Sequence, residues 1–283
     1  MDNFTILFDG DEFLYKASRS AQLDTTFGPV GEDGEETEEG NQSTFDMDKA
    51  WRDLQATVGG LVDTVLDKVS TGDSGIYRVV VCLSDSENFR KKICPKYKAN
   101  RVVPKPVGYL ELEARWKEQD GKWGTTFKTF PGLEADDVMG ILATRPSDSI
   151  PIIVSTDKDM TTIPAMRYSP YHQRWSYPTE EASLRFFCLQ TLMGDSTDGV
   201  TGIPNVGPKK AEALLGSKVE LLWDDVLAAY KHHREKFGDE DYVDAANRNA
   251  RLVRILRDSD WDAETCLPKK WWFGEEEVWR NPS

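Results

Sequence analysis

Three short apolar runs punctuate the first half of the chain, and an aspartate follows closely on each. Residues 4–8 (FTILF) run into Asp9-Gly10, residues 77–83 (YRVVVCL) reach Asp85, and residues 151–154 (PIIV) lead into Ser155-Thr156-Asp157. Runs with so few polar gaps predict strands buried on both faces of a parallel sheet. Residues 125–130 are a further strand candidate. Between the runs lie helical patterns. Leu54, Val58, Leu61, Val62, Val65 and Leu66 recur at close to a 3.6-residue period within 51–69. Residues 110–119 and 134–144 also predict helices, the latter stopped by Pro146. Alternating strand and helix predicts an α/β core. After about residue 180 the strand signals fade, and 180–193, 209–215, 219–236 and 242–256 read as helices. The expected organisation is an α/β domain over 1–182 and a helical region over 183–283. Residues 28–43, rich in Gly and acids, predict an exposed, mobile loop.

The chain of 283 residues is 39% hydrophobic and 30% charged, enough to bury a sizeable core. A membrane span needs about 20 consecutive apolar residues, and the runs here are far shorter. The start of the chain lacks the pattern of a signal peptide, so the expected location is the cytoplasm. Cys82, Cys94, Cys188 and Cys266 are too dispersed for a zinc-type pair and predict free thiols. The three histidines, His172, His232 and His233, offer little to a mechanism built on a histidine base.

A formal net charge of −14 argues at first against a nucleic-acid partner. The charge is unevenly spread, however. Residues 24–40 carry seven acids and no Lys or Arg, whereas 86–106 carry seven bases against the single acid Glu87. A net figure hides this separation.

Asp9, Asp85 and Asp157 each fall at the predicted C-terminal end of a strand, the edge where open α/β sheets bind ligands. Adjacent strands lie about 4.8 Å apart, so three such carboxylates can share one small volume. Any one of them could equally be a helix cap or turn residue. More acids arrive in groups: Glu134-Ala135-Asp136-Asp137 opens a helix, with Glu134 and Asp137 spaced to share a face. Asp157-Lys158-Asp159 and Asp195-Ser196-Thr197-Asp198 follow. Two bare charges 4 Å apart repel by about 4 kcal/mol at an effective dielectric of 20. Gathered together, these nine carboxylates would need cations. Oxygen donors without His or Cys select Mg²⁺ or Mn²⁺, and a pair of such ions is the usual device for cleaving phosphodiesters.

The basic stretch supplies the complementary charge. Lys98 and Arg101 suit a grip on phosphate, and Tyr97 suits stacking on a base; a merely solvated basic loop is the alternative. Gly202-Ile203-Pro204-Asn205-Val206-Gly207-Pro208-Lys209-Lys210-Ala211 forms a second signal. Two glycines bracket a tight turn and a proline opens a helix, leaving backbone N–H groups with Lys209 and Lys210 to meet a duplex backbone. This is a helix-hairpin-helix pattern, strengthened by the preceding Gly194-Asp195-Ser196-Thr197-Asp198.

At these residues the sequence resembles the 5′-nuclease superfamily of bacteriophage 5′-3′ exonucleases, flap endonucleases and the nuclease domain of bacterial DNA polymerase I. The stretches that carry the likeness are Phe8-Asp9-Gly10, Phe89-Arg90-Lys91, Tyr97-Lys98-Ala99-Asn100-Arg101, Gly132-Leu133-Glu134-Ala135-Asp136-Asp137, Ser155-Thr156-Asp157-Lys158-Asp159-Met160, and the segment from Met193-Gly194-Asp195 to Lys210. They span most of residues 4–215; the last 65 or so match only loosely. The resemblance implies a PIN-like core with a mostly parallel central sheet, an arch or clamp over about 86–118, and a helix-three-turn-helix region with its hairpin motif at 202–215. It implies that Asp9, Asp85, Glu134, Asp136 and Asp137 hold one metal ion, and that Asp157, Asp159, Asp195 and Asp198 hold a second. Asp136 and Asp137 would be shared between them or act through water. Lys98 and Arg101 would act with Asp9 and Asp157 in catalysis. Arg90, Lys91, Tyr97, Lys98, Arg101, Gly202, Gly207, Lys209 and Lys210 would bind DNA. The implied cofactors are two Mg²⁺, with Mn²⁺ able to substitute, and a monovalent cation such as K⁺ on the carbonyls of the Gly202 to Gly207 turn.

The expected function is thus a structure-specific 5′-3′ exonuclease or flap endonuclease, monomeric and phage-encoded. It would act in primer removal or DNA degradation without an attached polymerase. Its substrates would be DNA 5′ ends, flaps and RNA–DNA hybrids, with a polymerase or single-strand-binding protein as partner. The competing readings are a PIN-class ribonuclease, which the hairpin argues against, and a non-catalytic DNA-binding scaffold, from which some ligands should have been lost.

Overall fold

The computed structural model describes residues 3–27, 40–69, 76–101, 103–122, 124–238 and 240–269. Strand β1 (Asn3–Asp9) leads into helix α1 (Gly10–Ala21) with no loop between them, because the Asp9 carboxylate caps α1 by accepting from the Glu12 N–H at 3.1 Å. Gly10 is required at this junction. A Cβ there would lie 2.7 Å from the Leu83 and Val81 side chains and 2.8 Å from the Cys82 carbonyl oxygen. An antiparallel hairpin of β2 (Gln22–Phe27) and β3 (Gly40–Phe45) follows, then α2 (Met47–Val69). Residues 40–43, expected within the acidic loop, are therefore strand; residues 28–39 lie outside the described residues.

Strand β4 (Tyr77–Cys82), the short α3 (Phe89–Ile93), α4 (Tyr109–Lys117), β5 (Thr125–Lys128) and α5 (Ala135–Thr144) come next. The clamp region is thus two helices joined by turns, as Pro104 and Pro106 require. Strands β6 (Ser149–Val154), β7 (Met166–Ser169) and β8 (Arg174–Ser176) complete the sheet. Its order is β5-β4-β1-β6-β7-β8, parallel throughout except for the final β7–β8 pair. The runs at 4–8, 77–83 and 151–154 are therefore the three central strands, with β1 in the middle.

The two-residue period of the strands divides the core into layers. Ile6, Phe8, Val79, Val81, Ile152 and Val154 face α1, α2 and α4 through Leu14, Leu54 and Leu112. Leu7, Val80, Cys82 and Ile153 face the opposite way, onto Val138, Met139 and Ile141 of α5. Each such side chain contributes about 1.5–3 kcal/mol of hydrophobic stabilisation, so β1 is anchored from both faces.

A second core joins α6 (Glu180–Met193), α7 (Pro208–Leu214), α8 (Leu222–His232) and α9 (Tyr242–Val253) around Phe187, Ile203, Val226, Tyr230 and Ala250. The helix expected over 219–236 is interrupted by 3₁₀ turns at Val219–Leu221 and Arg234–Lys236. The helix expected to reach 256 ends at Val253. Residues beyond it do not stay in the helical region as expected: Ile255, Leu256 and Trp261 return to the sheet and pack against the α5 face.

Candidate active site

The C-terminal edge of the sheet opens into a cavity of about 900 Å³ lined by Asp9, Asp85, Glu134, Asp136, Asp157, Asp159, Asp195 and Asp198. Three of these come from the ends of neighbouring strands. Asp9 closes β1, Asp85 lies three residues past β4, and Asp157 three past β6, where it caps the Lys158–Thr162 turn by accepting from the Asp159 N–H at 2.8 Å. The start of α5 brings Glu134 and Asp136. A tight loop, closed by a bridge between Asp195 and Val200, brings Asp195 and Asp198.

This loop depends on two glycines set back to back. Gly194 and Gly202 have positive φ (71° and 57°); a Cβ on the first would sit 2.2 Å from the Val200 oxygen, and on the second 2.3 Å from the Gly194 nitrogen. Replacing Gly202 by alanine is expected to destabilise the protein by more than about 2 kcal/mol in urea unfolding. Gly207→Ala, at extended backbone with open space around a Cβ, is expected to change stability by less than about 1 kcal/mol.

Burial and crowding leave their mark on the carboxyls. Burial, with the charges of Glu12 and Asp11, pushes Asp9 up to about 8. Burial, with Asp9 and Asp157 nearby, raises Asp136 well above the usual range. Burial, with Asp157, pushes Asp159 up to about 7. Glu134 goes the other way: burial alone would raise it, but Arg90 and Lys98 outweigh that and hold it at about 2. Asp85 is lowered by the Gly132 N–H, which donates to it at 2.7 Å.

Asp136 Oδ1 and Asp159 Oδ1 are buried without a hydrogen-bond partner among the described residues, although Lys158 Nζ lies 3.8 Å from the latter. Among the described residues no three acidic, His or Cys side chains close into a ready-made ligand cage. The carboxylate donors and the two orphaned oxygens fit hard divalent cations.

Lys98 and Arg101 face the acids. Lys98 Nζ pairs with Glu134 and lies 3.6 Å from Asp198, and Arg101 pairs with Asp198. Lys98 adopts left-handed backbone (φ 55°), held by its N–H donating to the Asp198 carbonyl at 2.8 Å.

Three expected roles are corrected. Asp137 is fully buried, and its carboxylate is taken by Arg90 at 2.6 and 2.7 Å and by the Leu256 N–H at 3.0 Å, so it is not presented to the cavity as a ligand. Arg90, 3% exposed, borders the cavity, but its guanidinium is engaged by that pair and is not displayed on the surface. Tyr97 is 2% exposed, with its hydroxyl 2.9 Å from Glu134 and 3.0 Å from Asp198, so it bridges carboxylates and does not stack on a base. Gly202 is buried in the turn, whereas Lys91, Gly207, Lys209 and Lys210 are exposed. Two carbonyls of the turn expected to hold a monovalent cation, Asn205 and Pro204, accept from Lys210 at 3.0 Å and Lys236 at 3.3 Å.

Asp11 and Glu12 also line the cavity and were not anticipated. The available signal was their place directly after Phe8-Asp9-Gly10, in the first turn of α1.

Residues 47–182 match the family described as 5′-3′ exonuclease, N-terminal resolvase-like domain. The chain is 32% identical to the exodeoxyribonuclease of Enterobacteria phage T3 over 220 residues, 73% of this chain and 64% of that protein. It is 31% identical to a 5′-3′ exonuclease of Mycobacterium tuberculosis over 224 residues, 64% of this chain and 69% of that protein. The chain spans just under two thirds of the T3 protein and of the Escherichia phage T7 exonuclease, at 64% and 65%. Its fold is similar to the T5 D15 protein co-crystallised with metal ions, with a TM-score of 0.57 and 16% identity over 89% of each chain. The family match over residues 47–182 and the 31% identity to a relative of which the chain covers 69% place it in one group: it belongs to the 5′-3′ exonuclease family of the 5′-nuclease superfamily.

Proposed function

We propose that this protein is a Mg²⁺-dependent nuclease that hydrolyses phosphodiester bonds at DNA 5′ ends, as an exonuclease and at flaps. The observation that carries the reading is the cavity itself, where strand-end, helix-start and loop carboxylates converge opposite Lys98 and Arg101. Relatives named 5′-3′ exonuclease and flap endonuclease support it. Asp9, Asp85, Glu134 and Asp136 would hold one divalent cation, and Asp157, Asp159, Asp195 and Asp198 a second. Such ions supply an activated water and offset charge on the leaving oxygen.

The chain's own groups do the rest. Lys98 and Arg101 would exchange their carboxylate partners for the phosphate and hold it in line over the acids. Tyr97 stands between Glu134 and Asp198, and its single O–H would donate to one of them at a time. Exposed Lys209 and Lys210 beside the Gly202 to Gly207 turn would bind duplex phosphates away from the cut.

Cleavage of one 5′-labelled flap duplex and one blunt duplex, in Mg²⁺ and then in EDTA, tests this directly. The expected result is Mg²⁺-dependent release of 5′ fragments, with fragment length separating flap cutting from mononucleotide removal. Binding without cleavage in both Mg²⁺ and Mn²⁺ would defeat the proposal. Lys98→Ala is expected to lower the rate by about a hundredfold or more in single-turnover measurements.

A further inference from the structure

Because β1 is the central strand, α1 begins between the loops that follow β4 and β6. Its first turn reaches both. Asp11 accepts from the Ser84 N–H at 3.2 Å and from the Tyr109 hydroxyl at 3.1 Å. Ser84 Oγ in turn accepts from the Ala135 N–H at 2.9 Å, at the start of α5 between Glu134 and Asp136. On the other side Glu12 Oε2 accepts from the Thr156 N–H at 2.9 Å and from the Ser155 hydroxyl at 3.4 Å. Ser155 Oγ then accepts from the Asp157 N–H at 3.0 Å. Each acid is thus joined through one serine to the backbone of a loop that presents candidate ligands.

The oxygens of both acids are already engaged. Glu12 Oε1 is paired with Lys16 at 2.5 Å, and both Asp11 oxygens have donors. Yet both acids stand beside Asp9 and add to the repulsion there. Two more carboxylates in a crowded anionic site are costly, unless they do something that an apolar residue cannot. Accepting backbone N–H groups from two separate loops is such a task.

We propose that Asp11 and Glu12 are positioning residues that set the spacing of the candidate ligands through Ser84 and Ser155 without themselves contacting a cation. The inference rests on the proposed reading only in requiring that the cavity bind divalent cations.

The test uses the full chain without DNA. Mg²⁺ is titrated while the melting temperature is followed, and the half-stabilising concentration is read. Groups that orient metal-binding carboxylates typically cost about 10–100-fold in metal affinity when removed, so Glu12→Ala and Ser155→Ala are expected to raise the half-point about tenfold or more. Glu12→Gln keeps an acceptor for Thr156 and is expected to stay within about threefold of wild type. Asp11→Ala and Asp11→Asn should divide in the same way.

Equal losses in Glu12→Gln and Glu12→Ala would make Glu12 a ligand and overturn the proposal. So would an unchanged half-point in Glu12→Ala, or a wild type that Mg²⁺ does not stabilise. The melting temperature in EDTA reports whether each variant folds, and Ser155→Ala decides the matter if Glu12→Ala does not. Cleavage by the wild type is measured at the same Mg²⁺ concentrations. Its absence beside the predicted half-points would defeat the nuclease reading and leave the positioning role standing.

Discussion

Asp157→Ala is expected to abolish cleavage, lowering the single-turnover rate on the order of a thousandfold or more, while leaving affinity for a flap duplex within about threefold in EDTA. The separation follows from what this side chain touches. Among the described residues its side chain makes one hydrogen bond, the cap to the Asp159 N–H, and losing such a cap costs about 1 kcal/mol. Against that, its charge contributes to raising Asp9, Asp136 and Asp159. Removing it relieves repulsion, and the variant should melt near the wild-type temperature in EDTA. The groups proposed to bind duplex, Lys209 and Lys210, lie on α7 and are untouched. Rate, duplex affinity and melting temperature measured together settle the point: unchanged cleavage would overturn the metal-dependent reading, and lost binding would place Asp157 in the DNA interface.

Arg90→Met is expected to produce the largest loss of stability, about 3–5 kcal/mol. The guanidinium is 3% exposed and fully engaged. It pairs with both Asp137 oxygens, contacts Glu134 at 3.1 Å, and donates to the Leu252 and Arg254 carbonyls. Methionine fills much of the volume but leaves a fully buried carboxylate without its cation and the Leu252 and Arg254 carbonyls without the guanidinium donor. Breaking a buried pair costs far more than the pair itself contributes, because the surviving charge is stranded. Asp137→Asn in the same chain removes that charge and should restore a substantial part of the loss. Urea unfolding of the two single variants and the double gives the coupling energy. Additive losses would show that the two side chains do not act as a pair.

Much of the fold was legible because the central strands are buried on both faces and so read as nearly unbroken apolar runs. The position of Asp9, Asp85 and Asp157 followed from those strand ends. The β2–β3 hairpin was not legible: Gln22, Asp24, Thr25, Asn41, Gln42 and Ser43 carry no apolar alternation. Strands β7 and β8, four and three residues long, are too short to show a period. Within the site the errors share one cause. Arg90 and Asp137 stand 47 positions apart, and nothing local to either shows that they neutralise each other in the interior. A basic stretch and an acidic cluster were visible; which members turn inward is decided by packing of α3 against α5 and the end of α9. Asp11 and Glu12 were missed for the converse reason, since acids in a first helical turn are ordinarily explained by the helix dipole alone.

The segment after α9 gives the protein a timetable. Arg90 takes its carbonyl partners from residues 162 and 164 positions further on, and Asp137 its N–H partner from one 119 positions on. Synthesis proceeds from the N-terminus at about 5–20 residues per second, so the buried charges beneath the acidic cavity wait roughly 6–30 seconds for these backbone partners. The acidic edge of the sheet is completed only when most of the described chain has emerged. A truncated product ending before Leu252 would carry every candidate ligand and still lack the backbone contacts that hold Arg90 and Asp137 beneath Glu134 and α5.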